Sequence, residues 1–271
     1  MYNFSALISL YAKEKPEHLH DSLNSIFNQS LLPTEVILVL DGPIDFKLQA
    51  VLDKFKSKYS ILEVISLSKN VGLGKALNEG LKHCKYELVA RMDTDDICFP
   101  QRFEKQVNFM KKNPEIDICS AWVEEFEENI TNVRTIKKLP ETHTEISEYI
   151  KKRNPLNHPA VMFRKSAVLN AGGYLHFPLF EDYYLWVRMF ANGSKFANIQ
   201  EPLLHFRISP DMFKRRGGLK YACDSSKFQM ELHRLGLISL AQVIKASIIR
   251  GVVYIMPNSI RAFIYSRFLR G

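Results

Sequence analysis

Short apolar runs and amphipathic stretches alternate along the first 125 residues of the chain. The apolar runs have the length of buried strands, and they are FSALISLY (4–11), EVILVLDG (35–42), ILEVISL (61–67), YELVA (86–90) and IDICSAWVEEF (116–126). Between them, apolar residues recur with helical spacing in stretches that begin near Pro16, Leu48, Gly72 and Pro100. The pattern therefore predicts strands and helices that follow one another in turn.

The apolar runs lack the alternation of apolar and polar residues that marks a half-exposed strand. Continuous apolar strands separated by amphipathic helices predict a parallel sheet with helices on both faces. Ligands of such sheets bind at the carboxyl ends of the strands. Tyr11, Asp41 and Asp93 lie at three of these ends, so we expect them to meet in one crevice. Residues 130–157 are polar and carry only weak strand and helix signals.

Charge is concentrated at the C-terminal end of the chain. The 271 residues have a net charge of +8, and residues 201–271 hold 12 Lys/Arg against 4 Asp/Glu, which accounts for all of it. We therefore expect a local anionic partner for this quarter of the chain, with an ordinary solvated basic face as the alternative. Residues 237–271 contain five Lys/Arg and no Asp/Glu among apolar residues, without a clean amphipathic helical face. We therefore predict peripheral attachment to anionic lipid, with a helical cap on the domain as the alternative.

Other compositional features exclude several classes of protein. The N-terminal run reads as a first strand, since no basic leader precedes it. No stretch offers the ~18 uncharged apolar residues that a membrane span needs. The four cysteines are scattered without a Cys-x-x-Cys pair, which argues against a zinc site or a disulfide framework and suits a reducing cytosol. No internal repeat or Gly/Ser linker indicates a second independent domain.

An acidic cluster follows the apolar run YELVA, in the sequence ARMDTDDI at residues 90–97. Asp93 and Asp95, two positions apart at a strand end, can point into one cleft, and Asp96 adds a third carboxylate. Hard oxygen ligands of this kind hold Mg²⁺ or Mn²⁺ while leaving positions for substrate phosphates. Because burial of three unpaired carboxylates is costly, either a cation or solvent must face them. A solvated acidic turn is the structural alternative.

Four other motif assignments fail or weaken on the spacing or position of their residues. An EF-hand counted from Asp93 would need glycine at its sixth position, where Cys98 stands. A haloacid-dehalogenase-type phosphatase would use Asp93 as a nucleophile, but its motif usually lies near the start of the domain, and here three strand–helix units precede it. The stretch NVGLGKALNEG (70–80) fits neither a phosphate loop nor a dinucleotide-binding motif. It predicts a tight turn before a helix whose N-terminus can face an anion.

Several separated stretches together resemble the family 2 glycosyltransferases, which have a GT-A nucleotide-sugar-binding fold. The matching stretches are LISLYAKEKPEHLHDSLNSIFNQSLLPTEVILVLDG, NVGLGKALNEG, RMDTDDICFPQRFEKQ, HPAVMFRKSAVLNAGGY and FEDYYLWVRMF. They occur in the family's order and cover roughly residues 4–210. The resemblance implies an α/β fold with a Rossmann-like, mostly parallel central sheet flanked by helices. It implies a GT-A domain over residues 1–210 and a basic helical C-terminal extension over 211–271.

The resemblance also implies roles on the donor side of the site. Asp41 matches the acidic residue that contacts the uracil or ribose of a UDP donor, and Tyr11 lies in the stretch beside the base. Asp93 and Asp95 match the family's Asp-x-Asp motif, with Asp95 as the direct metal ligand and Asp93 nearer the ribose. Asp96 is expected to contact the sugar or to support the other two carboxylates. The metal implied is Mn²⁺ or Mg²⁺.

On the acceptor side, Glu181 and Asp182 match a Glu-Asp pair that opens a helix. The aspartate of this pair is the family's usual catalytic base, and acidic residues also favour helix N-termini for structural reasons alone. Gly172, Gly173 and Tyr174 match a turn that borders the acceptor site.

The chain departs from the family pattern after the last core strand. Many members have Tyr-Arg-x-His there, whereas this chain has Phe206-Arg207-Ile208-Ser209. The histidine is missing, and the nearby His205 would have to point elsewhere. Arg207, Arg215 or Arg216 are therefore expected to clamp the donor diphosphate in its place, unless they only join the basic face.

Taken together, the sequence predicts an inverting, metal-dependent hexosyltransferase that uses a UDP-sugar, with UDP-Gal or UDP-Glc favoured. The expected acceptor is a saccharide on a polyprenyl diphosphate, in the assembly of O-antigen or exopolysaccharide. The expected location is the cytoplasm, peripheral on the inner face of a bacterial cell membrane with an anionic surface, and no nucleic acid partner is expected. The alternatives are a haloacid-dehalogenase-like phosphatase and a non-catalytic nucleotide-sugar-binding module.

Overall fold

The computed structural model describes residues 3–208 and 217–256. The strands are β1 (Phe4–Leu10), β2 (Glu35–Leu40), β3 (Leu62–Ser66), β4 (Leu88–Asp93), β5 (Ile97–Cys98), β6 (Ile118–Phe126), β7 (Val133–Lys137), β8 (Met162–Arg164) and β9 (Phe196–Arg207). The α-helices are α1 (Pro16–Phe27), α2 (Phe46–Lys58), α3 (Leu73–His83), α4 (Arg102–Lys112), α5 (His143–Tyr149), α6 (Lys165–Asn170), α7 (Glu181–Ala191), α8 (Leu219–Arg234) and α9 (Leu240–Ile255). A 3₁₀ turn, His158–Ala160, precedes β8.

All the described strands belong to one sheet, in the order β3-β2-β1-β4-β8-β6-β9-β5, with β7 paired to β6. The first half is parallel, as predicted, through the pairs β1–β2, β1–β4 and β2–β3. The second half is mixed, because the short β8 runs antiparallel to both β4 and β6, while β6 and β9 are parallel. The expectation of a mostly parallel sheet thus holds for the half built from strand–helix units, and the second half departs from it because β7 and β8 run antiparallel to their neighbours.

Helices cover both faces of the sheet and bury separate apolar cores. One core lies between the sheet and α1, α2 and α4. The other lies between the sheet and a larger group that includes α3, α7, α8 and α9. Helix α3 approaches the sheet closely at Gly80, where an added Cβ would lie 2.3 Å from Cδ1 of Leu7 and 2.8 Å from Cγ2 of Val39. This close approach brings the loop before α3 to the carboxyl ends of β1 and β2.

The C-terminal residues form helices within the described range, as the sequence predicts. Helix α8 packs into the second core through Phe228 and Leu232, and Tyr254 of α9 stacks edge-on against Tyr221 at 4.7 Å between ring centroids. No helix within residues 3–208 and 217–256 is both long and apolar enough to cross a bilayer. A boundary between a domain and an extension near residue 210 remains a prediction.

The four cysteines differ sharply in their surroundings. Cys84, Cys98 and Cys119 are buried, whereas Cys223 on α8 is exposed. Burial raises the pKa of Cys84 and of Cys119 to about 12. The three buried thiols are therefore inert, and only Cys223 is open to reagents.

Candidate active site

The three carboxylates of the acidic cluster converge directly after β4. Asp93 is the last residue of this strand, and ligand oxygens of Asp93, Asp95 and Asp96 lie within 4.8 Å of one another. Strand β4 is paired with β1 on one side and with β8 on the other. These pairings fix the position of Asp93, where the cluster begins. The structure therefore brings together the three acidic residues that the sequence places in one cleft.

A buried arginine neutralises the first carboxylate. Arg91 is only 1% exposed, and its guanidinium donates to both oxygens of Asp93, with 2.7 Å between Nη1 and Oδ2. The carbonyl of Arg91 accepts a hydrogen bond from Nη2 of Arg102 at 2.7 Å. A bidentate pair of this kind holds a carboxylate in a fixed plane. Asp93 is thus charge-compensated, and the other two carboxylates must be compensated in another way.

Asp95 and Asp96 carry the uncompensated negative charge of the cluster. Burial, reinforced by the charges of Asp93 and Glu14, raises the pKa of Asp95 to about 7. Burial and the charges of Asp95 and Asp93 also raise the pKa of Asp96 well above its ordinary value. One oxygen of Asp96 accepts the N–H of Arg207 at 2.8 Å, but among the described residues nothing donates to its buried Oδ2.

This donor set fits a divalent cation. Its ligand atoms are hard carboxylate oxygens, one carboxylate is already neutralised, and a buried oxygen lacks a partner among the described residues. A divalent ion would offset the cost of burial and the mutual repulsion, which together raise both pKa values.

The loop that carries the cluster is held from three sides. Oγ of Ser22, on α1, donates to the carbonyl of Asp93 at 3.0 Å. Oγ1 of Thr94 donates to Oε2 of Glu14 at 2.7 Å. Nε of Arg207, at the end of β9, donates to the carbonyl of Asp95 at 2.9 Å. Arg207 therefore stabilises the acidic loop through both its backbone and its side chain.

Asp182 lies in the first turn of α7. Its Oδ2 accepts a hydrogen bond from Nδ2 of Asn154 at 2.7 Å, and the positive end of the α7 dipole favours its charge. The neighbouring Glu181 points differently, since its side chain packs beside Gly74 and its Oε1 lies 4.0 Å from Nδ1 of His176. Burial, followed by the charge of Asp182, raises the pKa of Glu181.

A cavity of about 820 Å³ joins the two acidic centres. Asp93, Asp95, Asp182 and Arg207 all line it. Of the other residues predicted for the site, Tyr11, Asp41, Asp96 and Glu181 do not line this cavity, and Arg215 and Arg216 lie outside the described residues. The cavity is open to substrates of the size of a nucleotide sugar, since ligand pockets usually span about 300–1,000 Å³.

Asp41 and Tyr11 lie at the ends of β2 and β1. The carboxylate of Asp41 is buried and accepts two backbone amides, from Val71 at 2.6 Å and from Gly72 at 3.0 Å. It therefore fixes the loop that leads into α3. Tyr11 is 44% exposed. Their predicted contacts with a nucleotide base remain predictions.

The glycine turn predicted at the acceptor side is tightly built. Gly172 and Gly173 have φ angles of 83° and 66°, which only glycine adopts readily. The side-chain amide of Asn78 binds both the N–H and the carbonyl of Tyr174, at 2.8 Å and 2.7 Å. The hydroxyl of Tyr174 lies 2.9 Å from Nε2 of His158, which lines the cavity.

Sequence reasoning missed several residues of this site. The role of Arg91 could have been predicted, because it lies inside the stretch ARMDTDDI and a charged residue within an apolar strand indicates a buried partner. Asn154 and Glu14 carried no such signal, since they act on side chains 28 and 80 positions away. Helix α9 was also missed as part of the cavity, which it lines through Ile249, Arg250, Val253 and Tyr254. His205, as expected, points elsewhere: it pairs with Glu124 and stacks on Phe99.

Comparisons with known proteins add to this geometry. Residues 5–169 match the family described as Glycosyl transferase family 2. The chain is 42% identical over 267 residues to a UDP-Gal:alpha-D-GlcNAc-diphosphoundecaprenol beta-1,3-galactosyltransferase of Escherichia coli, covering 98% of this chain and 96% of that relative. It is 41% identical to the amylovoran biosynthesis glycosyltransferase AmsE of Erwinia amylovora, covering 99% of this chain and 100% of that relative.

Among solved structures, S. aureus TarS 1-349 in complex with UDP-GlcNAc superposes with a TM-score of 0.69. The sequence identity is 18%, and the match covers 98% of this chain and 76% of that one. The shared fold is the GT-A fold, so the predicted fold class is confirmed.

Proposed function

Because this chain belongs to glycosyltransferase family 2, we propose that it moves a hexose from a UDP-sugar to a saccharide carried on a polyprenyl diphosphate. The E. coli relative is named for this donor and acceptor chemistry, and the Erwinia relative for the biosynthesis of a polysaccharide. UDP-Gal and UDP-Glc are the favoured donors. The observation that carries the proposal is the presence of the acidic cluster and of Asp182 on one cavity.

The acidic cluster forms the donor side of the proposed reaction. Asp95 and Asp93 would hold Mn²⁺ or Mg²⁺, with Asp95 as the more available carboxylate because Arg91 already engages both oxygens of Asp93. A divalent ion at this position supplies positive charge to the diphosphate of the departing UDP. Arg207 lines the same part of the cavity and adds a permanent cation beside the acidic loop. Asp96, which is buried, supports the loop through the N–H of Arg207.

Asp182 forms the acceptor side. A neutral sugar hydroxyl is a weak nucleophile, and a positioned carboxylate can take its proton as it attacks the anomeric carbon. Asn154 engages Oδ2 of Asp182, which restricts the rotation of the carboxylate and leaves Oδ1 as the oxygen that would take the proton. Attack from the face opposite the departing UDP gives a product with inverted anomeric configuration.

The direct test is a transfer assay with purified protein. UDP-Gal, UDP-Glc, UDP-GlcNAc and UDP-GalNAc would each be offered with a GlcNAc-diphosphate-lipid acceptor and Mn²⁺, and the product's anomeric configuration would be determined by NMR. We expect transfer from UDP-Gal or UDP-Glc with inversion. Retention of configuration would contradict the proposed mechanism. Hydrolysis of a phosphomonoester without sugar transfer would favour the phosphatase, and donor binding without turnover would favour the non-catalytic module.

The role proposed for Asp41 in base binding can be tested separately from its structural one. Asp41→Ala removes the acceptor for two backbone amides, so we expect a loss of about 2 kcal/mol in the free energy of unfolding. This corresponds to a fall in Tm of about 4–8 °C. If Asp41 also binds the nucleotide, the KM for UDP-sugar should rise more than kcat falls. A lower Tm with an unchanged KM would show that Asp41 only holds the loop before α3 and does not bind the nucleotide.

A further inference from the structure

Helix α9 exposes an apolar face that its packing does not explain. Leu240, Ile244, Ile248 and Val252 are spaced four residues apart and so form one row along the helix, and Ile249 lies beside this row. The exposed fractions of these five side chains, here called the α9 apolar face, range from 51% at Leu240 to 63% at Ile248. The opposite side of the helix is buried, through Val243 and Tyr254.

Single exposed apolar residues are ordinary, but a continuous row of them marks an interaction surface. On the exposed side of α9, Lys245 is the one charged residue among the described side chains, and residues 237–271 contain no Asp/Glu at all. A helix that is apolar toward its surroundings and carries only positive charge fits the surface of an anionic bilayer. An acidic protein surface would complement Lys245 but would leave the apolar residues of the face without an apolar partner.

The α9 apolar face is continuous with the cavity. Ile249 belongs to both, and Val253 and Tyr254 follow it along the cavity wall. Three basic residues line the cavity at the same place, namely Lys152, Arg153 and Arg250, here called the rim cations. The guanidinium of Arg250 donates to the carbonyl of Lys152, which ties α9 to the loop that carries Asn154.

This order of surfaces matches the order of groups in a saccharide-diphosphate-lipid. The saccharide would lie in the cavity beside Asp182, the diphosphate at the rim cations, and the lipid at the α9 apolar face. Guanidinium and ammonium groups bind phosphate oxygens through charge-assisted hydrogen bonds. Resting on the proposed function, we propose that the α9 apolar face lies in the surface of an anionic bilayer and that the rim cations bind the acceptor's diphosphate.

The membrane part is tested by vesicle flotation, which needs no catalytic activity. The wild type, Ile244→Glu/Ile248→Glu and Phe46→Glu would be floated with phosphatidylcholine vesicles, with and without phosphatidylglycerol. Phe46 is a matched control because it is 78% exposed on α2, which packs on the opposite face of the sheet. We expect wild type and Phe46→Glu to float with the anionic vesicles, and the α9 variant to bind at least about tenfold less with an unchanged Tm.

Wild type that fails to float, or an α9 variant that floats as well as wild type, would overturn the bilayer assignment. Light scattering after gel filtration tests the alternative that a second copy of the chain binds to the α9 apolar face. A dimer that Ile244→Glu/Ile248→Glu dissociates, without any flotation of the wild type, would assign the α9 apolar face to self-association instead.

The diphosphate part is tested with a water-soluble, short-chain GlcNAc-diphosphate ester and with the matching GlcNAc alkyl glycoside, by calorimetry. Lys152→Gln/Arg250→Gln should weaken binding of the diphosphate ester about tenfold, and should change binding of the glycoside and of UDP-sugar by less than about twofold. Equal weakening for ester and glycoside would overturn the assignment. Both readouts are binding measurements. A protein that passes them yet transfers no sugar would therefore refute the proposed function and leave the docking surface in place.

Discussion

Replacing Asp182 with asparagine should lower kcat by at least about 10²-fold while leaving UDP-sugar binding intact. The substitution keeps the size of the side chain but removes the carboxylate that can take a proton at this position of the cavity wall. The donor side should be unaffected, since Asp93 and Asp95 lie on a different segment of the chain and form their own cluster after β4. The measurement is steady-state transfer with saturating donor and acceptor, together with calorimetric titration of UDP-sugar.

Glu181→Gln is the matched control for this experiment. Glu181 precedes Asp182 at the same helix start, so any effect of charge on the α7 dipole is shared by both variants. Its side chain packs beside Gly74 and does not line the cavity. We therefore expect a fall in kcat of less than about tenfold for Glu181→Gln. Similar losses in the two variants, or loss of folding in Asp182→Asn, would remove Asp182 from the mechanism.

The second large effect is expected from the acidic cluster. Chelation with EDTA should abolish transfer, and Mn²⁺ or Mg²⁺ should restore it. Asp95→Asn should lower activity by about 10²-fold or more even with added metal, because it removes a charged ligand oxygen and keeps the side-chain volume. Full turnover in the presence of EDTA would refute a metal role and would leave Arg207 as the described cation beside the departing UDP.

The Tm of Asp95→Asn shows whether its loss of activity comes from a missing metal ligand or from a destabilised fold. In EDTA, Asp95→Asn should have a Tm equal to or above that of the wild type, because it removes the cost of burying a charge and the repulsion with Asp93 and Glu14, which together raise the pKa of Asp95. Added Mn²⁺ should raise the Tm of the wild type but not of the variant. Asp53→Asn, an exposed substitution on α2, serves as the control that keeps both activity and the metal-dependent rise. A large fall in the Tm of Asp95→Asn would instead assign a structural role to this carboxylate.

The fold was predictable wherever an element carries its own pattern. The strands β1 to β4 are mostly apolar runs, so their parallel pairing follows from the local sequence, although the edge strand β3 is only partly buried. The short strands that make the second half of the sheet mixed are too short to show a recognisable sequence pattern. Strand β5 has two residues and β8 has three, and each is fixed by its partners in the sheet.

The residues of the candidate site, like the strands, were predictable only in part. Asp93, Asp95 and Asp182 were predictable because a resemblance of sequence marks single positions along the chain. The partners that set their chemistry were not, since Arg91, Asn154 and Glu14 act through distances that only the folded chain creates. The cavity wall contributed by α9 was the hardest to foresee, because apolar and polar residues are mixed around this helix and its sequence does not distinguish the side that faces the cavity.

The single exposed thiol has a practical consequence. Cys223 can be labelled with a maleimide dye in the native sequence, because Cys84, Cys98 and Cys119 are buried. Helix α8, which carries it, packs against α9 through the contact of Tyr221 with Tyr254. A fluorophore at Cys223 would therefore report by energy transfer how closely this corner of the molecule approaches a vesicle that contains an acceptor lipid, without any engineered cysteine.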